Sequence, residues 1–144
     1  MDDSKRMMGI DYGSKRIGVA VSDPLNIIAQ GLCVVPNNDR ACAAIREIVR
    51  ENNVKTIVIG MPLGLRGIKS RSADSAEEFA RALEECVSVP VIRQDERFTT
   101  TIAHQTLRMM NTRKSERKVK NRIDIMAAAL ILQSYLDRLN SSIK

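Results

Sequence analysis

Tryptophan is absent from this chain of 144 residues, and aromatics amount to only 3% of it, two Phe and two Tyr. The interior must therefore be aliphatic, built from Ile, Leu, Val, Met and Ala, and no aromatic platform is available for stacking single-stranded bases. Cysteine is equally sparse. Cys33, Cys42 and Cys86 are odd in number and contain no C-x-x-C pair, so they give no sign of zinc or redox chemistry and read as buried thiols in a reducing cytosol. The single histidine, His104, stands alone on a predicted helix and reads as a surface or core residue, because a catalytic imidazole needs partners. Met1 to Arg6 leads straight into a strand pattern, with no apolar stretch long enough for a signal peptide or membrane helix. A cytoplasmic location without membrane attachment is expected.

What is present is globular composition, 44% hydrophobic and 28% charged. One domain over residues 1–144 is expected, and a chain of this size buries roughly two-thirds of its unfolded surface. Its net charge of +6 is unevenly spread. Arg113, Lys114, Arg117, Lys118, Lys120 and Arg122 face Glu116 alone, so most of the excess is local. Such a block attracts a polyanion, and nucleic acid is the usual cytosolic one; the alternative is a solvated loop that only aids solubility.

Two strands, about 7–12 and 16–23, are joined by Gly13-Ser14-Lys15, a connection of hairpin length, and should pair antiparallel. A third strand, about 28–35, ends at Pro36-Asn37-Asn38. The period then becomes helical over about 40–52, after Asp39 as N-cap, with Ala44, Ile45, Ile48 and Val49 on one stripe. Lys55 to Gly60 is a nearly continuous apolar run that suits a parallel strand buried on both faces, lying beside the first strand. Met61 to Arg71, with Pro62, Gly64 and Gly67, reads as a mobile basic loop. Ser75 and Glu78 have capping-box spacing before a helix to about Cys86, with Phe79 and Leu83 inward. A strand, Val89 to Gln94, follows. Thr99, Thr100 and Thr101 are cap candidates for a helix to about Asn111, and a last helix runs from about Asn121 to Leu139. A meander followed by alternating helices and strands implies a mixed α/β layer with strands of both senses.

Three acidic positions stand at element ends. Asp11 closes the first strand, where a carboxylate needs a cation, a donor or an open cleft. Asp95 and Glu96 follow the strand ending at Gln94 and point in opposite directions if the chain stays extended, so only one can share a site with Asp11. Glu96 has the longer reach, which leaves Asp95 to pair with Arg97 or hold the loop. Asp124 opens the last helix and shares a face with Ala128, Ile131 and Tyr135; small Ala127 and Ala128 would let that helix lie close to the sheet. Taken singly, each has a structural explanation: Asp11 in the Gly13 turn, Asp95 and Glu96 against Arg93 or Arg97, and Asp124 at a helix N-terminal turn. Together they form a candidate cluster for a hard divalent cation, as phosphodiester hydrolysis requires.

The segments Gly9-Ile10-Asp11-Tyr12-Gly13-Ser14-Lys15-Arg16-Ile17-Gly18-Val19-Ala20-Val21-Ser22-Asp23, Ile59-Gly60-Met61-Pro62-Leu63, Asp95-Glu96-Arg97-Phe98-Thr99-Thr100 and Asp124-Ile125-Met126-Ala127-Ala128 resemble, in order, those of the YqgF family of Holliday-junction-resolvase-like, pre-16S ribosomal RNA nucleases. That resemblance implies an α/β fold of the ribonuclease H-like kind, a five-stranded mixed sheet flanked by helices. It also implies magnesium- or manganese-dependent nuclease action, with Asp11, Glu96 and Asp124 as the catalytic, metal-holding triad and Asp95 as the alternative ligand. Related resolvases carry a fourth acid where this chain has Ala127. The implied role is maturation of the 5′ end of 16S ribosomal RNA precursor, with cleavage of branched DNA as the alternative.

Phosphates would be steered by Lys15 and Arg16 in the hairpin, by Arg66, Lys69 and Arg71, and by Arg113, Lys114, Arg117, Lys118, Lys120 and Arg122, contacts that set position more than sequence preference. A junction resolvase would act as a homodimer, whereas an end-processing nuclease need not. Two other classes compete: a nucleic-acid-binding module without catalysis, and a sugar-kinase or actin-like ATPase, suggested by Gly9 to Gly13 but disfavoured because ATP binding there uses two such domains.

Overall fold

In the computed structural model, residues 5–61, 71–95 and 117–141 are described, without the side chains of 71–73. Their elements, numbered among the described residues, are β1 (Arg6–Asp11), β2 (Arg16–Ser22), β3 (Ala29–Pro36), α1 (Ala41–Glu51), β4 (Val54–Met61), α2 (Arg71–Cys86), β5 (Val91–Asp95) and α3 (Arg117–Ser141). The sheet has the order β3-β2-β1-β4-β5. β1 pairs antiparallel with β2, and β2 with β3, whereas β4 lies parallel to both β1 and β5. This is the expected mixed sheet, with the apolar run of β4 beside β1.

Each face of the sheet is covered by a different set of helices. Met8, Ile10, Ile17, Val19, Ile57 and Ile59 alternate onto one face and pack with Ile45 of α1 and Phe79, Ala80 and Leu83 of α2. Met7, Ala20 and Val58 point the other way, against Ala128, Ile131, Leu132 and Leu136 of α3. Period two on the strands and a stripe at three- and four-residue spacing on the helices place these aliphatics in register. Burying each such Leu or Ile stabilises by roughly 1.5–3 kcal/mol, which lets the core do without large rings. Among the described residues, Tyr12 lies on Phe79 as a tilted pair with centroids 5.0 Å apart. All three cysteines are free and half-buried.

Two helices start earlier than their cap signals suggest. α2 begins at Arg71, so Ser75 lies inside the helix and its spacing from Glu78 is no capping box. α3 begins at Arg117, four residues before Asn121, so Arg117, Lys118, Lys120 and Arg122 of the basic block are helical. Arg and Lys are good helix formers, and α3's buried stripe from Ile123 onward supports the extra turn. The N-cap of α1 is Arg40 and not Asp39, with Asn38 Oδ1 accepting from the Arg40 amide at 2.8 Å. Among the described residues, no helix is long and apolar enough to cross a membrane.

α2 is tied to β5 by one arginine. Arg93 Nε donates to both Glu77 oxygens at 2.8 Å, and its Nη2 donates to Glu84 Oε1 at 2.7 Å. These hydrogen bonds hold both carboxyls below the ordinary glutamate value of 4.5. A carboxyl depressed in the folded state adds stability above its unfolded value and loses it as pH falls through the folded one. The urea midpoint should therefore drop as the pH falls through and below the ordinary glutamate range. In Arg93→Met part of that drop should vanish, so the two midpoint curves converge in acid; a constant gap would remove the clamp from the acid response.

Candidate active site

Side-chain direction on β1 is set by what its residues touch. Gly9 lies so close to α3 that an added Cβ would stand 2.6 Å from Leu132 Cβ and 2.8 Å from the Ala128 carbonyl oxygen. Met7 packs on the same helix. Asp11, two residues beyond Gly9, shares that face at the strand's C-terminal end. Its cross-strand partner is Gly18 of β2, and directly opposed residues lie about 4.5–5.5 Å apart with their side chains on one face. A Cβ on Gly18 would come within 2.0 Å of the Asp124 carbonyl oxygen. The backbone of Asp124 thus sits over the residue paired with Asp11, and strand and helix bring their acids to one corner of the sheet.

Asp124 is buried, at 8% exposure. It lies two turns inside α3, whose first turn holds no acid, so the helix dipole does not account for it. Arg16 of β2 reaches it instead: Nε donates to Asp124 Oδ2 at 2.7 Å, a charge-assisted length. Arg16, expected on phosphate, therefore has one donor committed to a site carboxylate. One turn earlier on α3, Asn121 Oδ1 is buried and has no hydrogen-bond partner among the described residues. A buried acceptor without a donor calls for a water or an ion. Two carboxylates and a carboxamide oxygen are the hard donors that suit magnesium or manganese, so these residues fit such a cation.

β5 alternates visibly. Arg93 turns to α2, while the buried Gln94 donates through Nε2 to the Ile131 carbonyl of α3 at 2.9 Å. Asp95, paired with Met61 of β4, consequently lies on the face away from Asp11. Glu96 lies outside the described residues, as do His104, Arg66, Lys69, Arg113, Lys114 and the helix expected after Thr101. Among the described residues no three His, Cys, Asp or Glu side chains gather as a metal group.

Of the expected phosphate contacts, Lys15 is exposed in the hairpin, whose turn Asn37 braces by donating to the Gly13 carbonyl at 2.8 Å. Arg117, Lys118 and Arg122 are exposed and Lys120 is half-buried on α3. They lie on the turns that lead into Asp124, spanning roughly 10 Å of helix before it. Arg71 begins α2. Gly18, Asn121 and Gln94 were not singled out by sequence; the one available signal was glycine inside a strand, which marks close backbone approach.

A model of one family, described as RuvX: Holliday junction resolvase, matches residues 5–138. The chain belongs to the RuvX family. This is the group whose motifs it shares under the name YqgF. A RuvX relative in Ruminiclostridium cellulolyticum, named "Putative pre-16S rRNA nuclease", is 42% identical over 137 residues, 93% of this chain and 95% of its own length. One from Koribacter versatilis with the same name is 44% identical over 138 residues, 92% of this chain and 87% of its own. Among solved structures, T. thermophilus RuvC in complex with a Holliday junction substrate superposes with a TM-score of 0.59 at 16% identity, covering 95% of this chain and 97% of that one. At that identity the likeness concerns the fold, and the RuvX chain is α/β and ribonuclease H-like.

Proposed function

We propose that this RuvX protein is a metal-dependent nuclease that hydrolyses phosphodiester bonds in maturing the 5′ end of 16S ribosomal RNA precursor, as one domain in the cytoplasm. The single observation that supports the reading is that the Asp124 backbone lies over Gly18, the cross-strand partner of Asp11. Nuclease names among relatives at 42% and 44% identity support it.

Asp11, Asp124 and Glu96 would hold magnesium or manganese. Alternation supports Glu96 over Asp95, since Asp95 faces away and an extended chain carried one residue further turns back. When bound, the cation supplies a nucleophilic water at neutral pH and neutralises charge on the leaving oxygen. The chain does the rest. β1 fixes Asp11 at the sheet edge, α3 carries Asp124, and the Arg16 guanidinium holds Asp124 in one orientation. Lys15 and the cations of α3's first two turns draw the phosphate chain across that corner, helped by the positive end of the helix dipole. With contacts mainly to phosphate, the substrate is chosen by shape more than by base sequence.

Purified protein with magnesium should cut an RNA carrying the 5′ precursor segment, and chelation should stop it. Cleavage of branched DNA in preference to that RNA would assign the resolvase role instead. Salt-dependent binding with cleavage of neither would leave a non-catalytic module.

A further inference from the structure

We propose that β3 and the loop before it form a neutral apolar strip on which a second copy of this chain docks, strip against strip about a two-fold axis. Pro24 to Asn38 holds no charged side chain, although 28% of the whole chain is charged. Within it Leu25, Ile27, Ile28 and Leu32 are 75%, 51%, 56% and 41% exposed. β3 is the edge of the sheet, and among the described residues no strand pairs on its outer side. Natural edges are guarded by lysine or an inward charge, because a bare apolar edge is a template for another strand. This edge carries neither.

The strip is held in one shape. The Asp23 carboxylate accepts from the Ile27 and Ile28 amides at 2.7 and 2.8 Å, while Gln133 of α3 accepts from the Ala29 amide at 2.8 Å and donates to the Ile27 carbonyl at 2.9 Å. Asn26 takes the left-handed conformation, with φ 58°. Gly31 and Cys33 pair with Ala20 and Val19, consecutive residues of β2, so Leu32 between them falls in a bulge and is displayed without a partner on that strand. A surface already fixed in shape loses little entropy when it is covered.

Charge selects the occupant. At a net charge of +6 two copies repel through most of their surfaces, and the uncharged strip is where they can approach. A two-fold axis sets the same strip on both sides, so each copy covers the aliphatics of the other. The four exposed side chains supply apolar area on the order of a few hundred Å², the dry centre around which a standard interface hides about 800 Å² of each partner. β2 has the acidic corner at its Arg16–Gly18 end and the loop at its Ser22 end, so both corners stay open in the dimer.

Sedimentation velocity on the full chain, from about 1 to about 100 µM, tests this. The wild type should reach the mass of a dimer. Leu32→Lys and Ile28→Lys should each raise the dissociation constant by at least about a hundredfold, because each buries two like charges in an apolar contact. Met126→Lys, at an exposed apolar position on α3, should leave the dimer intact. A wild type that stays monomeric leaves the strip to a different protein and overturns the proposal. So do assemblies larger than a dimer, folded Lys variants that still pair, or equal loss in Met126→Lys. Where circular dichroism shows one of the two strip variants unfolded, the other decides; if both are, Leu25→Lys, the most exposed of the four positions, replaces them.

Discussion

Replacing Asp11 with Asn should lower the cleavage rate by at least about a thousandfold, about 4 kcal/mol in barrier, while RNA affinity stays within a few-fold. Asn is nearly isosteric and keeps one acceptor oxygen, but it lacks the charge that a dication needs. Asp11 is half-buried at a strand end. Asp124→Asn should be as inactive but less stable, by about 1–3 kcal/mol, because it leaves Arg16 facing a neutral group in a partly buried place. Single-turnover cleavage, filter binding and thermal melts on the three proteins separate these effects. Wild-type turnover in Asp11→Asn would remove that carboxylate from the reaction.

Gly18→Ala should be the most damaging small substitution in the sheet. Its Cβ would stand 2.0 Å from the Asp124 carbonyl oxygen and 2.6 Å from the carbonyl carbon, both backbone atoms of a regular helix that cannot swing aside. Either β2 or α3 must retreat by about an ångström or more, and overpacking of this kind costs about 1–3 kcal/mol. The retreat also draws Asp124 from Asp11, and misplacement by about 1 Å can reduce turnover about a hundredfold. Gly60→Ala is the control. There the added carbon meets Ile131 Cδ1 at 2.5 Å, the tip of a side chain that can rotate away, so activity should survive. Equal behaviour of the two variants would mean that the helix seat does not set the site.

Strand order, both senses of pairing and the inward stripe of α2 were legible because each follows from a local period: two for the strands, three to four for Phe79 and Leu83. Helix starts were less legible. Ser75 with Glu78 is only a propensity, and a run such as Arg117-Lys118 reads as a repelling loop until the tertiary contacts of Ile123, Ala127 and Ile131 draw it into the helix. The acids at 11 and 124 and their expected convergence could be named from sequence, but not its geometry, in which a glycine of β2 opposes one of them and lies under the backbone of the other. Arg16 is the clearest case: on a hairpin it looks free for phosphate, and only the position of α3 turns its Nε to a carboxylate. Asp95 was ambiguous until the turn of Gln94 toward α3 fixed the parity of its strand.

Arg16 and Asp124 are 108 residues apart, and their bridge joins an early hairpin to a late helix. Translation delivers them in that order. While the ribosome is still extending the chain through α2 and β5, the sheet can form but the corner has only its strand half. The acidic corner is therefore completed in a single docking event late in biosynthesis, when α3 brings Asp124 onto β2.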